Sequence, residues 1–262
     1  MKINTLNNKN TRLYIVGCGP GSIDLLTMKA FSVIEEAKTI LYDNLVSKEI
    51  LNITNKDCLK VYVGKKPYEK STKQQEINAL IKFYAYSRGN VVRLKGGDPY
   101  IFGRGFEELT FAKENGIEAS YIPGISSMQT SGLNNIPLTH RGISEGFWII
   151  TGSRQDGSLS ADLYLAAQSK STIVIYMGMS KLAEISEIYS QAGKGLVQAC
   201  IIENGSLPKQ RKIFCKVEDL KTVATKEGLH NPAIIIIGGV VGLAIDDRTS
   251  ELISYAANGT EI

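Results

Sequence analysis

Two glycine-rich loops, each directly after a short apolar run, are the segments of this sequence best suited to hold a ligand. The first is GCGPG at residues 17–21, and the second is KGGDP at 95–99, with FGRG close behind it at 102–105. A glycine turn between a strand and a helix lets the main chain approach a ligand closely, and the helix N-terminus favours negative charge. Ligands of open α/β sheets bind at the carboxyl ends of the strands. Both loops therefore predict a ledge for a polar ligand.

The first loop alone leaves two interpretations open. It departs from the dinucleotide fingerprint GxGxxG, because Ser22 stands where the third glycine is required. Asp43, at the end of the next apolar run, lies where a nicotinamide enzyme would hold its ribose. A nicotinamide-dependent oxidoreductase is therefore an alternative, and a tight loop without a ligand is equally consistent with this motif.

Composition argues against several other classes of protein. The four cysteines lack a CxxC pair and the two histidines lie far apart, so we expect reduced cysteines and no metal site. The net charge of +4 is not concentrated in a basic run, so nucleic-acid binding is not expected. The apolar run at 233–241 is broken by Gly238 and Gly239, so no membrane span is expected. Residues 1–10 are polar, unlike a signal peptide, and we expect a cytoplasmic protein.

The hydrophobic pattern predicts alternating strands and helices in both halves of the chain. Strands are predicted at 13–16, 39–42, 59–63, 91–94, 119–122, 147–151, 172–177, 198–202, 212–217 and 233–237. Helices are predicted on apolar stripes within 26–37, 77–84, 106–113, 181–191 and 218–226, with Ser71 or Thr72 capping the second. The strand at 212–217 is expected to pair with its predecessor across Asn204-Gly205. This alternation predicts mostly parallel or mixed sheets covered by helices.

The segment 123–141 separates the two halves. It is rich in serine, glycine, proline and asparagine, as linkers between domains often are. We therefore predict two α/β domains, an N-terminal domain over residues 1–136 and a C-terminal domain over 137–262.

Nine motifs, in order along the chain, resemble the uroporphyrinogen-III C-methyltransferases of the tetrapyrrole methylase family. They are VGCGPG at 16–21, LYDNLVS at 41–47, VGK at 63–65, RLKGGDP to FGRG at 93–105, PGISS at 123–127, IPLTHR at 136–141, YMG at 176–178, ENG at 203–205 and PA at 232–233. The resemblance covers roughly residues 13–243. One such motif would be weak evidence, and nine in register are strong.

The resemblance implies a homodimer of two-domain chains that bind S-adenosylmethionine in a cleft between the domains and release S-adenosylhomocysteine. It places Pro20 on the floor of the cleft. It also implies that the methionine end and the ribose of the cofactor contact the ledge. The residues it implies for the cofactor are Pro20, Gly96, Gly97, Asp98, Ile101, Ser126 and Ser127 from the first domain and Met177, Gly205 and Ala233 around the adenine.

For catalysis, the resemblance implies Asp43 as the base and Lys65 as the acid. The substrate carries eight carboxylates, and arginine forks suit carboxylates. Arg104 and Arg141 are the candidates that would hold it, with Lys66 and Arg93 after them. An ion pair at the surface or between domains is an alternative for each, and for Arg93 it is the stronger interpretation.

The implied reaction is methylation of uroporphyrinogen III at two pyrrole carbons, C2 and C7, which gives precorrin-2 for sirohaem and cobalamin biosynthesis. Asn44 stands where the family commonly has arginine, so that a guanidinium able to bind a substrate carboxylate or to clamp the domains is absent there. Sister enzymes acting on later precorrins, on diphthamide precursors or on ribosomal RNA are alternatives. A catalytically silent regulator that binds the cofactor is a further one.

Overall fold

The chain divides into two compact units, each built on its own five-stranded sheet. The computed structural model describes residues 11–64 and 74–245. The units are Met1–Ser127 and Met128–Ile262. The predicted division after residue 136 lies in the second unit, just beyond the 3-10 helix Ser127–Asn134, and both positions fall within the 123–141 segment.

The sheet of the first unit is entirely parallel. Its strands are β1 Arg12–Gly17, β2 Thr39–Tyr42, β3 Leu59–Tyr62, β4 Val91–Lys95 and β5 Glu118–Ile122. Their order across the sheet is β3-β2-β4-β1-β5. All five were predicted, with bounds that differ by at most one residue at each end. The two glycine-rich loops follow β1 and β4, which are neighbours in the sheet.

Helices cover both faces of this sheet. They are α1 Met28–Glu35, α2 Lys48–Leu51, α3 Gln74–Arg88 and α4 Gly105–Glu114. Val92 of β4 packs in one cluster with Ile34 of α1, and Val91 packs in the opposite cluster with Ile81 of α3 and Leu109 of α4. Because successive residues of a strand point to opposite faces, β4 contributes to both halves of the core. The short helix α2 was not predicted, since four residues show no helical period; the predicted caps of α3, Ser71 and Thr72, lie outside the described residues.

The sheet of the second unit is mixed. Its strands are β6 Phe147–Thr151, β7 Thr172–Tyr176, β8 Gln198–Glu203, β9 Arg211–Lys216 and β10 Ala233–Ile237, in the order β6-β7-β10-β8-β9. Only β6 and β7 are parallel, and the predicted antiparallel pairing of β8 with β9 is confirmed. The strand predicted at 172–177 ends one residue earlier, because Met177 has a left-handed φ of 55°.

The helices of the second unit are α5 Asp162–Gln168, α6 Leu182–Gln191 and α7 Leu220–Lys226, and residues 240–245 are helical. One face of the sheet packs against Leu163, Ile185 and Leu220 of these helices. The other face packs against Ile136 and Val240. The helix predicted from residue 218 begins as a 3-10 turn, Val217–Asp219. The helix α5 was not predicted from the sequence.

Main-chain segments from three loops touch at the carboxyl edge of the first sheet. A Cβ atom added at Gly17 would lie 2.5 Å from the nitrogen of Gly124 and 2.8 Å from the carbonyl oxygen of Gly97. A Cβ at Gly124 would overlap that same oxygen and lie 2.8 Å from the Cα of Gly17. Any side chain here would meet main chain, which cannot rotate out of the way. Glycine is therefore required at both positions by close approach.

This close approach predicts that Gly124→Ala destabilises the protein. We expect a loss of about 1–3 kcal/mol in the free energy of unfolding, because the added methyl group overpacks fixed backbone. Urea denaturation followed by circular dichroism measures it. Gly132→Ala is the matched control: it is exposed, has no atom within 4 Å of its added Cβ, and should lose nothing or gain up to about 1 kcal/mol. Equal losses in the two variants would contradict the prediction.

Candidate active site

The carboxyl ends of the first sheet bring both glycine-rich loops side by side. Gly19 and Gly97 form an antiparallel bridge, in which the Gly97 nitrogen donates to the Gly19 oxygen at 2.7 Å and the Gly19 nitrogen donates back at 3.3 Å. Both glycines have a φ of 67°, which an L side chain rarely adopts. The Cys18 nitrogen also donates to the Lys95 oxygen at 2.8 Å. The ledge predicted from the sequence is thus one hydrogen-bonded structure.

Asp98 fastens this ledge to the loop after β5. Its Oδ1 accepts from the Tyr100 nitrogen at 2.8 Å. Its Oδ2 accepts from the Tyr121 hydroxyl at 2.5 Å and from the Gly124 nitrogen at 3.1 Å. The residue is buried, so these three bonds replace the water that its carboxylate has lost. Asp98 therefore has a structural role in the loop that its sequence motif did not reveal.

The tyrosines beside Asp98 are stacked on each other. The rings of Tyr100 and Tyr121 lie 3.9 Å apart between centroids, at 15° between planes. Burial raises the pKa of the Tyr121 hydroxyl, and the hydrogen bond to Asp98 raises it further. Burial raises the pKa of Tyr100 in the same direction. Both phenols therefore remain protonated, and Tyr121 remains a donor to Asp98, throughout the neutral range.

Asp43, the predicted base, is held at two points directly after β2. Its Oδ2 accepts from Nη2 of Arg93 at 3.0 Å, and its Oδ1 accepts from the Leu45 nitrogen at 3.1 Å. Its side chain is 20% exposed, whereas that of Arg93 is 3% exposed. A carboxylate oxygen has two lone pairs, so each oxygen keeps one for another partner. The result is a fixed carboxylate that solvent still reaches.

Arg93 belongs to a buried cluster of charges. Its Nε lies 3.5 Å from Oε1 of Glu108 on α4, and Nζ of Lys95 lies 3.1 Å from the same oxygen. Glu108 is completely buried. Burial lowers the pKa of the Lys95 ammonium group, and the charge of Arg93 lowers it further, while Glu108 opposes both. The ion-pair interpretation of Arg93 is correct, but the pair is buried within one unit rather than at the surface or between domains.

The other predicted residues of the first unit surround the same edge. Pro20 and Ile101 are half-buried, Ser126 is buried and Ser127 is half-buried, directly after the loop of β5. Arg104 has a left-handed φ of 57° and lies at the start of α4. Its guanidinium donates to both oxygens of Glu107, at 2.9 and 2.6 Å. The fork predicted for a substrate carboxylate therefore holds a carboxylate of this chain.

Three predicted residues of the second unit also lie at one sheet edge. Met177 follows β7 and Ala233 begins β10, which pair so that Tyr176 is opposite Ile234. Ala233 is opposite Glu203, the end of β8, and Gly205 is two residues further along. A Cβ at Gly205 would lie 2.8 Å from Thr130.

Met177 itself has 47% of its surface exposed rather than lying in the core, the usual place for methionine. Its left-handed φ of 55°, rare for a side chain of this size, turns the chain out of β7.

The remaining predictions have separate outcomes. Arg141 is exposed in the turn after His140. Lys65 and Lys66 lie outside the described residues. The four cysteines are free. Across residues 11–64 and 74–245 there is no group of three or more histidine, cysteine, aspartate or glutamate residues placed to hold a metal ion. Over the same residues, no helix has the length and apolarity needed to cross a bilayer.

The chain belongs to the tetrapyrrole methylases: the family described as Tetrapyrrole (Corrin/Porphyrin) Methylases matches residues 12–221. The family resemblance and the fold class predicted from the sequence motifs are confirmed.

The individual relatives carry more specific names than the family does. The chain is 41% identical over 233 residues to the uroporphyrinogen-III C-methyltransferase of Bacillus subtilis (strain 168), covering 88% of this chain and 91% of that protein. It is 38% identical to the siroheme synthase of Chromobacterium violaceum, covering 88% of this chain but only 50% of that protein. The chain thus spans about half the length of that siroheme synthase. The crystal structure of uroporphyrin-III C-methyl transferase from Thermus thermophilus, complexed with S-adenyl homocysteine, matches with a TM-score of 0.76 and 37% identity, covering 88% of this chain and 99% of that one.

The hydrogen bond from Tyr121 to Asp98 predicts that Tyr121→Phe destabilises the protein. At pH 8 we expect a loss of about 1.5–3 kcal/mol in the free energy of unfolding, since one hydrogen bond to a buried carboxylate disappears. The fold raises the pKa of Tyr121 above its ordinary value of 10.0. The hydroxyl therefore contributes its full stabilisation below pH 10, and this stabilisation is lost as the pH rises further. The difference from the parent chain should therefore shrink above pH 10.

Urea titrations at pH 8 and above pH 10 measure both effects. Tyr100→Phe is the control, because Tyr100 reaches Asp98 through its main-chain nitrogen and the stacked ring is kept. It should change stability by less than about 0.5 kcal/mol. A Tyr121→Phe variant as stable as Tyr100→Phe at pH 8 would show that the hydroxyl does not brace the loop.

Proposed function

We propose that this chain is an S-adenosylmethionine-dependent uroporphyrinogen-III C-methyltransferase, which adds methyl groups to two pyrrole carbons, C2 and C7, and forms precorrin-2. The observation that carries the proposal is Asp43, an accessible carboxylate fixed at two points on the carboxyl edge of a sheet that also bears the glycine ledge. The similarity to the Bacillus subtilis enzyme over nearly its whole length supports the same reaction. Precorrin-2 would feed sirohaem and cobalamin biosynthesis.

The residues present suit the cofactor. In the first unit, Gly96 and Gly97 leave main chain bare at a strand end, where a Cβ on Gly97 would have no atom nearer than 3.7 Å. This opening accepts a polar amino-acid group and a ribose, beside Pro20 and Asp98. In the second unit, the exposed thioether of Met177 supplies a soft apolar surface of the kind that an adenine ring contacts.

We therefore propose that the cofactor is held by Pro20, Gly96, Gly97, Asp98, Ile101, Ser126, Ser127, Met177, Gly205 and Ala233. Bound S-adenosylmethionine supplies a methyl group on a positively charged sulfur. The chain's own contribution is positioning, which accounts for most of the acceleration in a transfer of this kind.

Removal of a proton is the step of the reaction that needs a side chain. A reduced pyrrole behaves as an electron-rich enamine, and when its carbon forms a bond to the methyl group the ring system becomes cationic. The cation is discharged when a C–H bond breaks and its electron pair returns to the ring. Asp43 accepts this proton on a carboxylate oxygen, since each oxygen retains a lone pair. Lys65 is proposed as the acid that assists proton movement elsewhere on the substrate.

Recognition of the substrate is proposed to rest on its acidity. Arg104, Arg141 and Lys66 are the residues assigned to the carboxylates of the tetrapyrrole. For Arg104 this requires exchange, because its guanidinium already binds Glu107. The pair is exposed, and exposed ion pairs contribute only about 0–1 kcal/mol, so a substrate carboxylate can replace Glu107 at little cost.

The proposal is tested by incubating the protein with S-adenosylmethionine and anaerobically prepared uroporphyrinogen III and measuring the product mass. We expect a gain of two methyl groups. Asp43→Asn should lower the rate of methyl transfer by roughly 100-fold or more, because general-base catalysis contributes factors of this size. Binding of S-adenosylhomocysteine, measured by calorimetry, should be retained in this variant.

Asp57→Asn is the matched control, since the same chemical change is made in an exposed turn. Its rate should stay within about twofold of the parent. Tight binding of S-adenosylhomocysteine without methylation of uroporphyrinogen III would contradict the proposed substrate and favour a later precorrin. Full activity in Asp43→Asn would contradict the role of the carboxylate.

A homodimer and a cytoplasmic location complete the proposal, and the homodimer is what the family resemblance implies. The chain has a mass of 28.6 kDa. Light scattering after size exclusion should therefore give twice that mass at micromolar concentration, and the same mass at half the concentration. A single-chain mass at every concentration tested would contradict the dimer.

A further inference from the structure

The central strand of the first sheet carries two positive charges where apolar residues are expected. Arg93 and Lys95 lie on the same face of β4, which has β2 on one side and β1 on the other. Their side chains are only 3% and 8% exposed. A cation in the interior of a protein is costly unless it is paired and hydrogen-bonded. The roles of these two cations therefore depend on the two carboxylates that pair with them, Asp43 and Glu108.

The two carboxylates differ sharply in access. Glu108 lies under the sheet on α4 with 0% of its side chain exposed, whereas Asp43 lies at the carboxyl edge with 20% exposed. Arg93 stands between them and faces both. A proton from a substrate can reach Asp43, and Glu108 is enclosed by protein. The cluster thus contains one carboxylate that a substrate can reach, Asp43, and one that is a buried counter-charge, Glu108.

The guanidinium of Arg93 is fixed in a single orientation. Its Nη1 donates to the Leu94 oxygen at 2.6 Å, its Nη2 donates to Asp43 at 3.0 Å, and its Nε faces Glu108 at 3.5 Å. A planar guanidinium held by two hydrogen bonds in different directions, with its Nε at ion-pair distance from Glu108, cannot rotate without breaking one of those bonds. Together with the Leu45 nitrogen on the other oxygen, Arg93 sets the plane of the Asp43 carboxylate.

We propose that Arg93 is the positioning residue of the reaction: it holds the Asp43 carboxylate in the plane required to accept the substrate proton. Glu108 makes this arrangement neutral, because its charge offsets one of the two cations and Asp43 offsets the other. Lys95 donates to Glu108, and its Nζ has no hydrogen bond to Asp43. This inference rests on the proposed function, in which Asp43 is the proton acceptor.

A purely structural cluster predicts a different outcome. Buried ion pairs contribute little net stability, while removal of one partner is strongly destabilising. If the cluster served the fold alone, loss of Arg93 and loss of Lys95 would affect turnover of the folded protein equally. If Arg93 positions Asp43, only its loss slows the chemical step. Lys95→Met is therefore the matched control for Arg93→Met.

The experiment is single-turnover methyl transfer to uroporphyrinogen III by the full chain, with S-adenosylhomocysteine binding as the check on folding. We expect Arg93→Met to slow the transfer by roughly 100-fold, the effect of misplacing a reacting group by about 1 Å. The KM for uroporphyrinogen III should stay within about threefold, since Arg93 is enclosed and does not bind substrate. Lys95→Met should cost at least tenfold less than Arg93→Met. Arg93→Lys, which keeps the charge and loses the fork, should restore part of the rate.

If Arg93→Met fails to fold, the double variant Arg93→Met with Glu108→Gln removes one charge of each sign and keeps the cluster neutral. It should fold and show the same roughly 100-fold loss. Equal rates in Arg93→Met and Lys95→Met, or a changed KM with an unchanged rate, would overturn the positioning role. Activity in Asp43→Asn would overturn the proposed base instead. An inactive Asp43→Asn beside an active Arg93→Met would overturn only the inference about Arg93.

Discussion

The contact of bare main chain at the carboxyl edge of the first sheet is the constraint on which the site depends. Gly17 and Gly124 lie so close to each other and to the carbonyl oxygen of Gly97 that a Cβ added at either would overlap backbone atoms. The loops after three parallel strands therefore cannot shift independently. Asp98 and Tyr121 fasten the same loops with hydrogen bonds from the side. A ledge made in this way is rigid before any ligand arrives, which lowers the cost of ordering it on binding.

The rigid edge and the buried charges meet on one strand. Residues of β4 alternate between Val92 and Leu94 on one face and Val91, Arg93 and Lys95 on the other, and the strand ends at Lys95, directly before Gly96. Its interior thus positions Asp43, while its end forms the ledge. Rigid elements hold a catalytic group more accurately than loops do. A single central strand therefore ties the position of the proton acceptor to the place where the cofactor is proposed to bind.

The sequence predicted the sheets well, because their strands are short apolar runs between clear turns. It also predicted that Arg93 forms an ion pair, but at the surface or between domains, whereas the pair is buried within the first unit. It did not reveal Glu108, since an acid on a helix usually faces solvent and only the fold places this one under β4. The helices α2 and α5 were missed because four and seven residues are too few to show a helical period. The Glu107 partner of Arg104 lies at a spacing typical of helix pairs and was recognisable once α4 was placed.

The neutral cluster of Arg93, Lys95, Glu108 and Asp43 also limits how this part of the chain can vary. A change that removes one charge leaves an uncompensated charge of the opposite sign in the interior, which costs more than most surface changes. Changes that preserve neutrality must pair a change in β4 with one in α4 or at Asp43, although these segments are separated along the chain. A compensated pair of replacements therefore costs less than either replacement alone. This small group of ionic side chains couples the choice of amino acid at positions that are distant in the sequence.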